Sequence, residues 1–220
     1  MSSPVRLGLA GFGTVGQGLA SILADSADWI ERRLGRPVQV TVVALRDTAK
    51  ARPVPVPQGA RVVATPLELA SAPDVDIVVE LMGGLSASYD LIRLALATGK
   101  HVVTANKHLL AEKGEELFAL AAQKGVGLYY EASVCGGIPI VQTLKESLAG
   151  NRVQAVTGIL NGTSNFILSR MTNKGLTYAE ALRKAQRKGY AEADPTLDVE
   201  GLDAAHKLVL LIRLAYGQDY

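Results

Sequence analysis

Residues 5–16, VRLGLAGFGTVG, restrict the fold of this chain more than any other stretch. A run that is apolar on both faces, 5–11, passes directly into Gly11, Gly13 and Gly16, spaced G-x-G-x-x-G, and then into a helix-like sequence. A strand apolar on both faces belongs in a parallel sheet with helices on either side. A glycine turn between such a strand and a helix opens a doubly wound α/β unit. Gly11 permits the tight turn, Gly13 lets a pyrophosphate approach the backbone, and Gly16 lets helix and strand pack closely. The helix N-terminus offers free N–H groups and partial positive charge to phosphate. Glycine triplets also arise by chance at such turns. The strand before this one and the helix after it favour dinucleotide binding.

The same alternation continues. Apolar runs at 38–45, 75–81, 101–105 and 126–132 read as further parallel strands, and 16–34, 87–98 and 107–124 as helices between them. Gly99 and Gly125 stand where helices should stop. The proline-rich segment 51–66 breaks the rhythm and reads as a surface excursion. The character changes after residue 132. A strand with more alternation is expected at 152–160, then helices at 163–173, 177–188 and 201–216, the second supported by the capping-box pair Thr177 and Glu180. The chain thus reads as α/β: a Rossmann-type doubly wound parallel sheet over 1–132, then a mixed α/β domain over 133–220. Its last residues read as the end of a helix, so the second domain is expected to be incomplete at its C-terminus.

Composition narrows the function. With 23 basic and 21 acidic residues, net charge +2, and no basic run, nothing suggests a nucleic-acid partner. No apolar run reaches the roughly 18–20 residues that span a bilayer. The first residues lack the basic and long apolar regions of a signal peptide. The single cysteine, Cys135, excludes an internal disulfide, and no Cys/His cluster suggests zinc. The expectation is a soluble, cytoplasmic protein.

Candidate site residues cluster at two places. The second strand ends in VALRDT. Arg46 at its tip suits a 2′-phosphate and points to NADP, while Asp47 beside it keeps NAD open. Thr104 and Lys107, in TANK, end a later strand, where ligands of such sheets bind. A lysine in a first helical turn is disfavoured electrostatically, which argues for a use in the cleft. The second place is KGYAEADPTLDVEGLDAAHKL, 188–208, rich in carboxylates ahead of Lys207. Asp203 and Lys207 share a helix face; Leu202, Ala205, Val209 and Ile212 mark a different, apolar one. On helix pattern alone the pair reads as exposed and weak, about 0.2–0.5 kcal/mol. The loop GYAEADP, however, brings Glu192 to the same neighbourhood. Two carboxylates suit a cationic ligand group, and a lysine suits an oxygen. Asp194, Asp198 and Glu200 read as solvated or capping, His206 as structural, and Cys135 as filler of a tight bend. The stretch 160–165 offers hydroxyls and amides to a substrate carboxylate.

The motifs GFGTVG, VTANK, EASVCGGIPI, GILNGTSNFIL and the acidic stretch stand in this order, and together they resemble homoserine dehydrogenases. The resemblance implies an oxidoreductase interconverting L-homoserine and L-aspartate 4-semialdehyde with NAD(P), on the route to threonine, methionine and isoleucine. It implies a homodimer, with the second domain catalytic and dimerising. It gives Phe12, Thr14, Val15, Lys107 and Gly189 to the cofactor along with the glycines, and Glu192 and Asp203 to the substrate's ammonium group. Lys207 becomes the proton donor, and Lys107 lies near nicotinamide and substrate. Glu131, Val134, Gly136 and Ile138 resemble a monovalent-cation site for sodium, mostly of backbone carbonyls. Family members continue past residue 220. Two alternatives stay open: a thiol-dependent semialdehyde dehydrogenase using Cys135, and an NAD(P)-binding fragment without turnover.

Overall fold

A computed structural model describes residues 3–217. The chain divides between Ser133 and Val134 into two compact units.

The first unit is built on a six-stranded sheet, parallel throughout. Its strands are β1 (Val5–Ala10), β2 (Val38–Ala44), β3 (Arg61–Val63), β4 (Ile77–Glu80), β5 (His101–Thr104) and β6 (Leu128–Tyr129), in the spatial order β3-β2-β1-β4-β5-β6. Strand order reverses between β1 and β4, which makes the crevice at their carboxyl ends the ligand position of such a sheet. Leu7, Leu9, Val40, Val43 and Val79 form the core with Phe12 and Ala20.

Three local departures from the sequence reading have physical causes. The segment read as an excursion is irregular only to Ala60. Arg61–Val63 then joins the sheet edge beside Val42–Ala44. The prolines at 53, 55 and 57 end before this strand, and an edge strand needs one partner only. Pro66 opens α3 (Pro66–Ser71), where its missing N–H costs nothing, and the Thr65 side chain accepts the Glu68 N–H. The long helix expected over 16–34 is two, α1 (Thr14–Asp25) and α2 (Ala27–Leu34), broken at Ser26, whose φ of −114° is not helical. The other two helices form as expected: α4 (Ser86–Ala97) and α5 (Lys107–Lys124), the latter stopped by left-handed Gly125.

The second unit is helical among its described residues. A short α6 (Ile140–Gln142) runs on as a π-helical stretch, Thr143–Ser147. After residues 152–160 come α7 (Gly162–Lys174), α8 (Tyr178–Arg187), α9 (Thr196–Val199) and α10 (Leu202–Tyr216). Ile167, Ala181, Ala185 and Ala191 are its buried centre. The Thr177–Glu180 capping box is present with both of its bonds. The strand expected at 152–160 is not formed: no described residue pairs with this segment as a strand, and Ile159 is 73% exposed. Alternation makes a sequence competent for a sheet, but only a hydrogen-bonded neighbour makes it a strand. The mixed α/β character expected of this unit is therefore absent among its described residues.

Candidate functional site

In the first unit the glycine turn has the geometry that its spacing implies. Gly11 sits at φ 100°, and a Cβ there would lie 2.6 Å from the Leu81 carbonyl oxygen, so only glycine lets β1 leave the sheet beside β4. A Cβ on Gly16 would strike the Gly11 carbonyl oxygen, so this position sets how closely α1 rides on the turn. At Gly13, in contrast, a Cβ would meet no atom within 4 Å. The backbone there faces open space. The N-terminus of α1 has no side-chain cap and no acid in its first turn, and Thr14 and Val15 are exposed. These are the conditions an anionic pyrophosphate needs. Phe12 contributes backbone only, because its ring is buried in the core. The sequence reading missed Gln17. Its amide nitrogen donates to the Phe12 and Gly13 carbonyls at 3.4 and 3.3 Å, and its oxygen accepts the Val54 N–H at 3.0 Å, tying the turn to the proline-rich loop. No local pattern marks such a residue.

At the tip of β2 the two candidates separate. The Asp47 carboxylate accepts the backbone N–H groups of Ala49 and Lys50 at 2.9 and 3.1 Å, closing its own loop. Arg52 braces that loop through the carbonyls of Asp47 and Lys50. Arg46 is exposed.

At the ends of β4 and β5 a buried carboxylate organises the chain. Glu80 is fully buried. Its Oε1 accepts the N–H groups of Met82 and Gly83 and the Ser88 hydroxyl at 2.8, 3.0 and 3.0 Å, and its Oε2 accepts the Thr104 hydroxyl at 2.6 Å. Thr104 in turn accepts the Asn106 N–H at 3.0 Å. Asn106 caps α5 through the Leu109 N–H and reaches the Gly84 carbonyl. Lys107 is the first residue of that helix, half-buried. Thr104 thus enters the site as part of the frame that aims Lys107, its hydroxyl both donating and accepting within the protein.

In the second unit, Asp203 and Lys207 lie one helical turn apart on α10, with Lys207 Nζ 2.7 Å from Asp203 Oδ2. Lys207 also donates to the Leu160 carbonyl at 2.6 Å. The side chains of Asp203 and Lys207 are only 13% and 17% exposed. This corrects the face assignment. Leu202 is 43% exposed and Ala205 is exposed, whereas the inward face carries Asp203, Lys207, Leu210 and Leu211. Val209 and Ile212, the other members of the expected apolar face, are half-buried, so that face is open at its start and covered only further along the helix. Asn161, in the stretch 160–165 read as offering amides to a carboxylate ligand, completes the group with its amide turned to the protein's own carboxylates. Its amide nitrogen donates to Asp198 Oδ1 at 2.7 Å and Asp203 Oδ2 at 2.9 Å, while its oxygen accepts the Ser164 N–H at 2.7 Å as the N-cap of α7. Asp198, read as solvated or capping, is therefore joined to Asp203 through Asn161. Asp194 does cap its own turn: Thr196 donates to it through hydroxyl and N–H, and these bonds hold its carboxyl below the usual range. Gly189 follows α8 in a left-handed conformation, φ 72°, and Glu192 is exposed in the loop beyond it. Thr163 donates to the Tyr190 carbonyl at 2.7 Å, holding this loop to α7.

Of the candidate cation ligands, Glu131 belongs to the first unit and Val134, Gly136 and Ile138 to the second. Glu131 is in a 3₁₀ turn, Glu131–Ser133. Val134, Gly136, at φ 60°, and exposed Ile138 follow. Among the described residues no group of three or more His, Cys, Asp or Glu side chains is arranged for a metal; a site of backbone carbonyls is of another kind. Cys135 is a half-buried free thiol. Among the described residues no helix is long and apolar enough to cross a membrane.

Residues 11–131 match the family described as homoserine dehydrogenase, NAD binding domain, and residues 139–220 match homoserine dehydrogenase. The homoserine dehydrogenase of Neisseria gonorrhoeae is 50% identical over 97% of the chain and 49% of its own length. That of Bacillus subtilis is 45% identical over 98% of the chain and 49% of its own length. The crystal structure of a homoserine dehydrogenase from Thiobacillus denitrificans superimposes with a TM-score of 0.91 at 50% identity, covering 97% of the chain and 49% of that protein. A hyperthermophilic archaeal homoserine dehydrogenase in complex with NADPH superimposes at 0.84 with 28% identity, covering 99% and 71%. The chain spans about half the length of the bacterial relatives it matches.

Proposed function

The chain belongs to the homoserine dehydrogenase family, and from that premise we propose that it carries the cofactor and substrate groups for interconverting L-homoserine and L-aspartate 4-semialdehyde. The observation that carries the reading is the sheltered Lys207–Asp203 pair with Asn161 beneath it. An exposed helix pair would be incidental; a sheltered one, with its lysine also held by a backbone carbonyl, is built.

The residues have separate tasks. The glycine turn, with Thr14 and Val15 at the start of α1, holds the pyrophosphate of the dinucleotide, for which the open backbone at Gly13 leaves room. Arg46 faces the adenosine ribose and favours NADP over NAD, a preference supported by the engagement of Asp47 in its own loop. Gly189 adds a contact of its own. When bound, the nicotinamide donates or accepts the hydride. Glu192 and Asp203 hold the substrate's ammonium group. In the reducing direction Lys207 gives a proton to the aldehyde oxygen as the terminal carbon is reduced, and in the oxidising direction it takes the hydroxyl proton back. Lys107, aimed by the Glu80–Thr104–Asn106 frame, supplies positive charge at the nicotinamide end. Glu131 and the carbonyls of Val134, Gly136 and Ile138 form an oxygen-only donor set, which suits a hard cation such as sodium. Homodimerisation through the second unit is supported by its exposed apolar side chains, among them Ile159, Leu168 and Leu197. Family membership does not favour the thiol-dependent alternative at Cys135.

The test is NADPH oxidation with L-aspartate 4-semialdehyde, beside NADH, for the chain and for Lys207→Ala. The expected result is turnover with a preference for NADPH, falling about 10²–10⁴-fold in the variant, the range of a positioned proton donor. Equal turnover by the variant would remove Lys207 from the chemistry.

A further inference from the structure

We propose that Asn161 is a positioning residue of the substrate site: its amide group clamps Asp198 and Asp203 together and fixes the direction in which Asp203 meets a cationic substrate group. The inference rests on the function proposed above. As a helix cap, Asn161 needs only its side-chain oxygen, which takes the Ser164 N–H. Serine or aspartate serves equally well there. What asparagine adds among capping residues is an NH₂ group with two donors. Both are spent on carboxylates, one bond to Asp198 of α9 and one to Asp203 of α10, with Asn161 only 8% exposed. Two carboxylate oxygens within 2.9 Å of one nitrogen would repel each other without that donor group.

The same short segment also holds the lysine. Residue 160 gives its carbonyl to Lys207, and residue 161 gives its amide to Asp203. Asp203 Oδ2 thus receives Lys207 from its own helix and Asn161 from α7. A carboxylate on a free rotamer would swing with Lys207. One held from a second helix keeps a fixed position when the lysine exchanges its proton. The relation of Asp203 to Lys207 is therefore set by residues 160–161, some forty positions earlier in the chain.

Asn161→Asp separates the clamp from the cap. It keeps the N-cap oxygen and the side-chain size, removes both donors, and places a third carboxylate against Asp198 and Asp203. The experiment uses the full chain with NADPH, measuring KM and kcat for L-aspartate 4-semialdehyde, KM for NADPH, calorimetric binding of L-homoserine, and helix content by circular dichroism. The expected result is weaker L-homoserine binding and a higher substrate KM, each by about tenfold or more, as for the loss of a sheltered hydrogen bond to a charged group. The KM for NADPH and the helix content stay at their wild-type values. Asn161→Ser, which keeps the cap without adding charge, shifts KM in the same direction by less. A purely capping role leaves the substrate KM of both variants unchanged, and that result overturns the inference while leaving the proposed function standing. If Asn161→Asp loses helix content, Asn161→Ser decides between the same two outcomes. A wild-type chain that neither binds nor converts these substrates overturns the functional reading and this inference with it.

Discussion

Glu80 in the first unit and Asp203 in the second are both sheltered carboxylates, but they are satisfied in different ways. Glu80 is fully buried and takes all its bonds from neutral donors: two backbone N–H groups and two hydroxyls. Asp203 keeps 13% of its side chain exposed and has a charged lysine and an amide among its partners. The first arrangement is closed. Every bond goes to the protein's own frame, and a buried carboxylate so surrounded organises loops without doing chemistry. The second keeps a charged partner beside it and part of its surface open to solvent, which suits a group that must meet a ligand. Burial alone therefore does not mark a catalytic acid. The identity of the donors does.

The largest effect should come from opening the closed arrangement. Glu80→Ala removes the acceptor of four hydrogen bonds, two of them buried, and about 3 kcal/mol of stability is expected to go, read from the denaturant midpoint of the first unit. A change under about 1 kcal/mol would mean that the loops after β4 and β5 stand without Glu80. Asp203→Asn should behave in the opposite way. Asparagine keeps the shape, so the fold should persist, while L-homoserine binding weakens about ten- to a hundredfold as the substrate's ammonium loses its counter-charge. Calorimetry beside thermal unfolding distinguishes the two. A variant that stays folded but loses stability, with its affinity for L-homoserine unchanged, would place Asp203 with Glu80 as a frame residue.

A third carboxylate sharpens the contrast at the small end. Asp76 pairs in bidentate fashion with Arg6 at the start of β1, both side chains 38% exposed. Hydrogen bonds from Arg6 hold its carboxyl below the usual range. The folded value lies below the unfolded value of about 3.9, so this stabilisation is complete above that pH and is lost as pH falls through the folded value. Asp76→Asn should therefore lower the unfolding midpoint slightly near neutral pH, and the gap to wild type should close in strong acid. A gap that stays constant with pH would show that the pair acts through shape and not charge. Solvent screening keeps the effect the smallest of the three.

Several features of the molecule were legible because their cause is local. The strand-to-glycine-to-helix junction at 5–16 carries its geometry in three residues, and Gly11, Gly13 and Gly16 each meet the surroundings their spacing implies. The Thr177–Glu180 capping box and the helix stop at Gly125 are likewise decided within a turn of chain. The edge strand at 61–63 was not legible, since its pairing is supplied by β2 and its own sequence is short. The segment 152–160 shows the converse: it has the alternation of a strand and no described partner to make it one.

The site divides in the same way. Asp203 and Lys207 could be paired from a four-residue spacing, because a helix sets that distance by itself. Whether the pair faced water or the interior depended on α7 and the loop at 160–161 packing over it, which no spacing on α10 reveals. Glu80 lay in an apolar strand with nothing local to show that four donors from three separate segments converge on it. The sequence by itself determined five of the six strands, the glycine turn between β1 and α1 and the residue types around Lys207, since periodicity and backbone sterics act within a few residues. Only the tertiary structure decided which carboxylates are fully enclosed and which stay partly open, because that is set by the donors around them, and those come from parts of the chain far apart in sequence.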